Sequence, residues 1–386
     1  MSCARIISAS PTLPASPNLK DELKRLALEA GFDLAGVAGV AETPEHRFFP
    51  GWIADGRSGE MKYLAARNEA DELKRASLGN AAPWARSVVV CAMNYNTDQP
   101  YSTHSGAPTQ GWISRYAWSQ RDYHSLLLEK LRALEARLLD LCKQREIPAP
   151  RTWCYVDTGP VIERVFAKYA GIGWIGKNTC VLNEQMGSSL FLGVMLTSLE
   201  LEPDLPAQDR CGTCTACLDA CPTQAFPAPY QIDATKCIAY LTIELRGSIP
   251  EELRPGIGRQ VFGCDICQDV CPWNREAPVT SAPELQARER LVNPDLEWLA
   301  QLSLEEFREI FRGSPVKRAH LNGFRRNVAI AMANSGDERF LPTLERLSHD
   351  EDAIMAEHAR WGVAQLRTFG RKGTTSGVHP GKGSSR

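Results

Sequence analysis

The sequence predicts a mixed fold of the α+β or α/β class, followed by a cysteine-rich segment and a helical C-terminal part. Three observations support this: the chain opens with a helix and then a strand, a long β-branched strand lies at 87–95, and amphipathic helices dominate after residue 283. With 386 residues, two or three domains are expected. The net charge of −2 excludes a polyelectrolyte, so any surface that binds nucleic acid must be local.

The N-terminal part is predicted to alternate helices and strands. Residues 1–17 are rich in Ser and Pro and are expected to be a disordered lead. A helix follows Asn18 and ends at Gly31, a C-cap candidate, because apolar residues recur between them at helical spacing. A longer helix runs from Ser125 to about Arg145 with a leucine stripe on its core side. Strands are predicted at 33–40, 87–95, 151–157 and 189–201.

Asp157 ends the third of these strands, immediately before another predicted helix. Pro160 is expected in the first turn of that helix, with Asp157 and Thr158 as candidate N-caps and Arg164 further along it. The sequence supports a capping role and a chemical role for Asp157 equally. The glycine run GIGWIG does not follow the first strand of a βαβ unit, so we exclude a Rossmann nucleotide site.

The cysteines are concentrated in one segment: eight of 13 lie between Cys211 and Pro272. The string CGTCTACLDACP has the C-x2-C-x2-C-x3-C-P spacing that holds iron–sulfur clusters through thiolates. A shorter run, CDICQDVCP, follows, and Cys237 lies alone between the two runs. Zinc and disulfides fit this pattern less well, because zinc sites use cysteine pairs and disulfides need an oxidising compartment.

The spacing predicts two 4Fe–4S clusters. In two-cluster ferredoxins the last cysteine of each run binds the other cluster. Cluster 1 is therefore assigned Cys211, Cys214, Cys217 and Cys271. Cluster 2 is assigned Cys221, Cys237, Cys264 and Cys267, so that none of the eight is left over.

The C-terminal part is predicted to be helical. Helices are expected at 294–302 and 303–311, and paired helices that resemble a short HEAT-type solenoid at 314–366. Four basic residues with no acid between them form a patch that could bind phosphate: Lys317, Arg318, Arg325 and Arg326. A solvated helix face is the equally supported alternative. The Gly/Ser/Lys-rich tail, 370–386, is expected to be disordered.

The N-terminus lacks the apolar segment of a signal peptide, and no apolar run is long enough to span a bilayer. We therefore expect a soluble cytoplasmic protein with no membrane partner. Because few exposed apolar stripes are evident, we expect a monomer.

Several motifs together resemble the epoxyqueuosine reductase family, cobalamin-dependent enzymes whose core is related to reductive dehalogenases. They are SRYAWSQRDYH, VDTGPVIERVFAKYAGIGWIGKN, the cysteine runs with Cys237 between them, ELRGSIPEELRPGIGRQVFGCDICQDVCPWN and RRNVAIAMANSGD. The resemblance covers residues from about 20 to about 366, and the motifs together are far more specific than the cysteine runs alone. Cys180 departs from expectation, because it stands where a plain apolar residue is expected.

The resemblance implies a cobalamin-binding catalytic domain at 18–202, a ferredoxin-like two-cluster domain at 203–282 and a HEAT-like domain at 283–369. It implies an oxidoreductase that reduces epoxyqueuosine to queuosine at the wobble position of a tRNA anticodon loop, the last step of queuosine biosynthesis. Electrons would come from an external donor of flavodoxin or ferredoxin type and pass through both clusters to cobalamin. Asp157 matches the family's proton donor, its pKa raised by burial against the corrin ring, and Arg164 would orient the substrate.

The corrin rim and phosphate tail need polar partners near Asp157 or the glycine loop. Candidates are Arg67, Tyr116, Asp157, Lys177, Asn178, Asn183, Ser188 and Ser189. Because no histidine lies in a D-x-H-x-x-G setting, we expect no protein histidine at the lower axial position of cobalt. Two other interpretations stay open: an electron-transfer protein that needs only the cluster segment, and a reductive dehalogenase, which would usually carry a twin-arginine signal that is absent here.

Overall fold

The structure is a computed structural model that describes residues 18–104 and 106–374, with the backbone alone for 369–374. The predicted lead at 1–17 and residues 375–386 of the predicted tail lie outside the described residues. Residues 370–374 were expected to be disordered, but their backbone continues the last helix, which ends at Thr374.

The predicted helices and strands of the N-terminal part are present, interspersed with short 3-10 turns. The strands are β1 (Leu34–Ala38), β2 (Ser87–Asn94), β3 (Trp112–Ile113), β4 (Thr152–Tyr155), β5 (Trp174–Ile175), β6 (Val181–Leu182), β7 (Leu190–Thr197) and β8 (Gln260–Phe262). The helices up to the cysteine runs are α1 (Leu19–Glu29), α2 (Pro44–Ala54), α3 (Leu78–Ala81), α4 (Tyr123–Gln144) and α5 (Glu163–Tyr169). Asn18 caps α1, and Gly31 follows it with a φ of +88°, as the helix signals predict.

The remaining helices lie in the cysteine-rich and C-terminal parts. They are α6 (Ala216–Asp219), α7 (Ile238–Ile243), α8 (Arg254–Ile257), α9 (Ile266–Asp269), α10 (Leu296–Ala300), α11 (Leu304–Ile310), α12 (His320–Asn334), α13 (Leu341–Leu347) and α14 (Ala353–Thr374). The C-terminal part is therefore helical. Whether α12–α14 form HEAT-like repeats stays a prediction.

One four-stranded sheet organises the N-terminal part. Its strand order is β1-β2-β7-β4, and each neighbouring pair is antiparallel, so this part belongs to the α+β class. The side chains of β2 alternate between two cores. Val89, Cys91 and Met93 pack with α1 and α4 on one face. Val88, Val90 and Ala92 pack on the other face, against the side of α5 that carries Phe166 and Ala167.

A third core joins the C-terminal helices to two earlier segments. It contains Trp112, Trp118 and Phe262 together with α10–α14 residues such as Phe307 and Phe324. Strand β3 also pairs in parallel with β8, across the predicted boundary between the N-terminal and cysteine-rich domains. The boundaries themselves stay a prediction, but the segments on either side of them share buried apolar surface.

In the part of the chain that the structure describes, none of the helices has the length and apolar character that crossing a membrane requires.

Candidate active site and cluster-binding segment

The two cysteine runs fold in the same way. In each run a four-residue helix, α6 or α9, begins two residues after one cysteine, contains a second and ends two residues before a third, which precedes proline. The two short helices contact each other, so the runs face one another as the crossed ligand assignment requires.

The cysteines assigned to cluster 1 surround a cavity. Cys211, Cys214, Cys217 and Cys271 line a space of about 260 Å³, together with residues that include Lys177 and Asn178. Burial and the neighbouring thiolates of the same quartet raise the pKa of Cys271 to about 11. Four thiolates around one space meet the need of a 4Fe–4S cube, whose irons would compensate the cost of ionising them.

The cysteines assigned to cluster 2 also form one group. Burial raises the pKa of Cys264, and Cys237 and Cys221 raise it further. The pKa of Cys267 is raised too, by Cys180 and burial and further by Cys264 and Cys237. Among the described residues, no three His, Cys, Asp or Glu side chains converge on a single metal ion.

Cys180 is a ninth cysteine in contact with this second quartet. The two thiols lie close enough to interact, which raises the pKa of Cys267 and lowers that of Cys180. The amide of Cys180 donates to Asn178 Oδ1 (3.2 Å). The sequence flagged Cys180 only as an unexpected residue type, and its contact with a cluster ligand became evident only in the structure.

Asp157 lies just after β4 in a strained, half-exposed position. Its φ is +55°, in the left-handed region that costs a non-glycine residue energy, and such strain is common at functional sites. The side chain is 52% exposed. The Tyr123 hydroxyl donates to Asp157 Oδ2, and His124 Nε2 lies 3.5 Å from the same oxygen. Arg75 holds the loop that follows Asp157, because its guanidinium donates to the Gly159 carbonyl (2.7 Å).

Neither Asp157 nor Thr158 caps the following helix, so that prediction is wrong. Helix α5 begins at Glu163, its N-cap position is Ile162, and no side chain caps it. Pro160 lies before the helix, in the loop. Asp157 therefore has no capping role that would account for its strained backbone and exposed carboxyl.

Glu163, the first residue of α5, is a second acid close to Asp157. Its Oε1 is buried and has no hydrogen-bond partner. Burial raises its pKa to about 8, and the charge of Asp157 contributes to the increase. The hydroxyl of Tyr155, whose pKa is raised by burial and by the charge of Glu163, is also buried without a partner.

Arg164 connects the Asp157 side of the site to the second quartet. It is exposed, and its guanidinium donates to the Thr179 carbonyl (2.9 Å), next to Cys180. Tyr116 lies between the same two regions: burial raises its pKa, and the charges of Asp157 and of Asp265, beside Cys264, raise it further. The acid and the second quartet therefore border one region that contains Tyr116, Arg164 and Cys180.

Several predicted cobalamin contacts make other interactions. Lys177 Nζ donates to the carbonyls of Gly212 and Cys214 (2.7 and 2.9 Å), and Asn178 Nδ2 donates to Cys267 O (3.2 Å), so both support the cluster loops. Asn183 Nδ2 donates to Ile172 O within its own loop (2.6 Å). Arg67 is exposed and bonds to Asp71.

The two predicted serines lie between β7 and the second cysteine run. The Ser188 hydroxyl is buried and bonds to Gln268 and Asn274. Ser189 lines a small polar space with Gln268 and Asn274. Of the predicted cobalamin contacts, Tyr116 and Asp157 border the region between the acid and the second cysteine quartet.

The predicted basic patch is not one surface. Arg326 is 1% exposed and donates to the carbonyls of Leu241, Leu245 and Gly247, so its assignment to RNA binding is wrong. Amphipathic spacing did not reveal this, because a buried arginine that binds carbonyls has the same sequence signature as a surface one.

The other three basic residues differ in availability. Arg325 pairs with Asp350 (3.3 Å) and is largely buried. Arg318 pairs with Glu244 and lies over the ring of Tyr63, 5.3 Å from its centre, and Lys317 is exposed.

Tyr123 and His124 are site residues that we did not predict. They belong to SRYAWSQRDYH, where Asp122 precedes a long amphipathic helix. The N-cap pattern could have placed His124 in the first turn of α4, but only the fold brings it to Asp157.

Two thiolate quartets beside an exposed acid define an iron–sulfur oxidoreductase. The comparisons with known proteins agree. Residues 210–274 match the family model described as 4Fe-4S double cluster binding domain, and residues 75–158 match the one described as Epoxyqueuosine reductase QueG, DUF1730. The epoxyqueuosine reductase of Xanthomonas campestris is 38% identical over 93% of this chain and 99% of its own. That of Pseudomonas aeruginosa is 39% identical, over 92% of this chain and 96% of its own.

Solved structures give the same result. An epoxyqueuosine reductase bound to an epoxyqueuosine-modified stem loop of a tyrosine tRNA has 34% identity, a TM-score of 0.77 and 90% coverage of both chains. The Bacillus subtilis enzyme, solved with an aspartate catalytic loop swung out of the active site, has 32% identity, a TM-score of 0.77 and the same coverage.

This chain belongs to the epoxyqueuosine reductase family. The predicted family and oxidoreductase class are thereby confirmed, and the electron-carrier and dehalogenase alternatives are not favoured. The match over residues 210–274 also confirms the predicted double 4Fe–4S cluster domain.

Proposed function

We propose that this chain reduces the epoxide of epoxyqueuosine, at the wobble position of a tRNA anticodon loop, to the cyclopentene of queuosine. The observation that carries the proposal is the region between Asp157 and the second cysteine quartet, which brings a source of protons and a source of electrons together. The relative solved with an epoxyqueuosine-modified stem loop supports the choice of substrate.

The stoichiometry of the reaction determines how many electrons and protons the site must supply. Converting an epoxide to an alkene breaks both C–O bonds and releases the oxygen as water, so each turnover consumes two electrons and two protons. The electrons come from outside the chain, and the protons must reach one oxygen atom within the site.

The two quartets are proposed to hold the clusters that carry the electrons. Cys214 is exposed, whereas Cys264 and Cys267 lie on the side of the segment that meets Cys180. Electrons would therefore enter near cluster 1 from a flavodoxin or ferredoxin type of donor and leave near cluster 2. A carrier without the N-terminal domain would need neither Asp157 nor the region beside it.

Cobalamin fits the region between Asp157 and cluster 2. The donors and acceptors there include the exposed Arg164 and Asp157 and the phenol of Tyr116, and Glu163 Oε1 is buried nearby without a partner. When bound, cobalamin would supply the low-potential electrons that reduction of the epoxide requires. We assign its contacts to Tyr116, Asp157 and Arg164. Lys177, Asn178, Asn183 and Ser188 are instead engaged within the protein.

Asp157 is proposed as the acid that protonates the epoxide oxygen. Its carboxyl is 52% exposed on the open side of the site, and Tyr123 orients it by donating to Oδ2. Arg164 would orient the modified base or balance the charge that develops on oxygen. Protonation of the oxygen as its C–O bond breaks is the step that a general acid in this position would supply.

Lys317 and Arg318 are proposed to contact the RNA backbone. Lys317 is exposed, and Arg318 lies over Tyr63, a 44% exposed ring that also contacts the Arg75 guanidinium. An exposed aromatic ring beside basic groups is the combination that binds unstacked bases in single-stranded loops. Because Arg75 also holds the Asp157 loop, this surface is continuous with the site. A monomer remains our expectation for the assembly.

The test is conversion of a tRNA stem loop that carries epoxyqueuosine. The chain, reconstituted anaerobically with iron, sulfide and cobalamin, is incubated with the stem loop and a chemical reductant, and the nucleosides are analysed by mass spectrometry. We expect queuosine, lighter by one oxygen, only when cobalamin is present. A fully loaded chain that leaves the epoxide intact would overturn the proposal.

A further inference from the structure

We propose that His124, held by Asp122, passes protons from water to Asp157 and so supplies the second proton of each turnover. This inference rests on the proposed function, because it takes Asp157 as the acid that meets the epoxide oxygen. It concerns a side chain that does not itself touch the substrate and acts through Asp157.

The proton count creates the need for such a group. Two protons must reach the departing oxygen, but a single carboxyl carries one. Once Asp157 has given its proton, bound tRNA and cofactor would separate it from bulk water. A second group must then reprotonate Asp157 from a side that remains open.

Three side chains form a continuous line towards that side. Asp122 Oδ1 lies 3.0 Å from His124 Nδ1, and His124 Nε2 lies 3.5 Å from Asp157 Oδ2. His124 is 38% exposed, so its imidazole reaches water while one nitrogen faces Asp157. The second distance is longer than a good hydrogen bond, which is common for catalytic pairs before the substrate binds.

The local fold fixes this orientation. Asp122 is the N-cap of α4, and its Oδ1 also accepts the backbone N–H of His124 (2.9 Å). The imidazole stacks on Tyr123 with ring centres 4.0 Å apart, and Tyr123 stacks on Phe191 at the same distance. One carboxylate therefore caps the helix and holds Nδ1, which leaves Nε2 directed at Asp157.

The transfer balances in protons. Asp157 gives its proton to the epoxide oxygen and becomes a carboxylate. The Nε2–H bond of the His124 imidazolium then breaks and a new O–H bond forms at Asp157 Oδ2, while the Nδ1 proton stays on His124 and is donated to Asp122 Oδ1. Asp157 gives this second proton to the oxygen, which leaves as water, and neutral His124 takes a proton from solvent at Nε2.

Tyr123 is the competing candidate, because its hydroxyl also contacts Asp157 Oδ2. Burial and the neighbouring Asp157 charge raise the pKa of this phenol, so it keeps its proton. Tyr123 is therefore a fixed donor that positions Asp157. Imidazole is the side chain whose ordinary pKa suits proton exchange with water near neutral pH.

The kinetic test uses the fully loaded enzyme with the modified stem loop. His124→Gln, which keeps a polar side chain, should lower kcat by about ten- to a hundredfold, at or below the lower end of the range for direct acid–base groups. KM for the stem loop should be unchanged, and added imidazole should restore part of kcat. His104→Gln, at an exposed histidine, is the matched control and should behave like the parent chain.

The outcomes separate the two proposals. An inactive Asp157→Asn together with a fully active His124→Gln would overturn the relay and leave the acid in place. A fully active Asp157→Asn would overturn the acid itself. Loss of kcat in His124→Gln without rescue by imidazole would also contradict the relay, because it would indicate a structural role.

A second measurement does not depend on turnover. In the purified chain with ¹⁵N-labelled histidine, Asp157→Asn and Asp122→Asn should each shift the imidazole ¹⁵N resonances of His124, whereas those of His104 stay unchanged. An unshifted His124 resonance in Asp157→Asn would show that the two side chains do not interact in solution and would overturn the relay.

Discussion

At the scale of single residues, the sequence could identify functional side chains whose role depends on their spacing along the chain. Seven of the eight cysteines follow from two runs with ligand spacing and Cys237 from its place between the runs, and the structure groups the eight as two quartets. Asp157 was predicted from its place at a strand end together with the family resemblance. His124 and Glu163 were not predicted as site residues, because their electrostatic interactions with Asp157 depend on how α4 and α5 pack on the sheet. Arg326 was misassigned because sequence spacing cannot distinguish a guanidinium that binds carbonyls from one that binds phosphate.

Replacing Asp157 by Asn should abolish turnover while leaving the cofactors in place. The amide keeps the size of the side chain and can still accept from Tyr123, but it has no acidic proton to give. We expect kcat to fall by about 10² to 10⁴-fold, the usual contribution of a general acid. Iron and cobalt per chain should match the parent. Comparable turnover in the variant would remove Asp157 from the mechanism.

Glu163 should make the stability of the chain depend on pH. Its pKa is about 8 in the folded chain against 4.5 ordinarily, so the folded state binds its proton more tightly. The resulting stabilisation is complete below pH 4.5 and is lost as pH rises to about 8. Glu163→Gln, which cannot ionise, should therefore have a Tm that falls less than that of the parent between pH 5 and pH 8.

The control is Glu305→Gln, at an exposed position on α11, which should follow the parent curve. Parallel Tm curves for Glu163→Gln and the parent would show that Glu163 is already ionised in the folded chain at pH 5.

At the scale of elements, periodicity and caps predicted most helices and strands, including the strand at β2 and the leucine stripe of α4. The predicted start of α5 was wrong because Asp157, Thr158 and Pro160 resemble the start of a helix. In the structure the chain stays in a loop until Glu163. The sequence also gave no indication of the role of α12. Its Arg326, Asn327 and Asn334 side chains donate to backbone carbonyls of the cluster-binding segment.

Arg326→Met should destabilise the chain through this helix. Methionine fills a similar space but leaves the carbonyls of Leu241, Leu245 and Gly247 without this donor, and the bond to Leu241 is the buried one of the three. An unsatisfied buried group costs about 1–3 kcal/mol, so we expect a loss of about 1–3 kcal/mol in the free energy of unfolding. Arg339→Met, at a 73% exposed arginine, should change it by less than about 0.5 kcal/mol. Equal stability of the two variants in denaturant titrations would contradict the role assigned to Arg326.

At the scale of the whole molecule, the order of the three parts was predictable, but their shared cores were not. Residues 112–118 lie in the sequence of the N-terminal part, yet Trp112 and Trp118 pack in the core of the C-terminal helices. Contacts between segments so distant in sequence leave no periodic signal in either segment. The proposed RNA surface would be similarly composite, because Tyr63 and Arg318, which lie against each other, are far apart in the sequence.

Lys317→Gln should weaken tRNA binding in a salt-dependent way. Removing one phosphate contact should reduce the slope of log affinity against log salt by about 0.7 to 1. Arg339→Gln also removes one exposed positive charge from the helical part and should leave the slope unchanged. Equal slopes for Lys317→Gln and the parent chain would show that Lys317 does not contact the RNA backbone.

The central claim is that two thiolate quartets feed electrons to a corrinoid beside Asp157. Its most direct test is the iron and cobalt content of the chain, measured by elemental analysis after anaerobic reconstitution and removal of unbound cofactor. We predict about eight irons and one cobalt per chain, since each 4Fe–4S cluster holds four irons. Eight irons without retained cobalt would contradict the corrinoid, and zinc or about four irons would contradict the assignment of the two quartets.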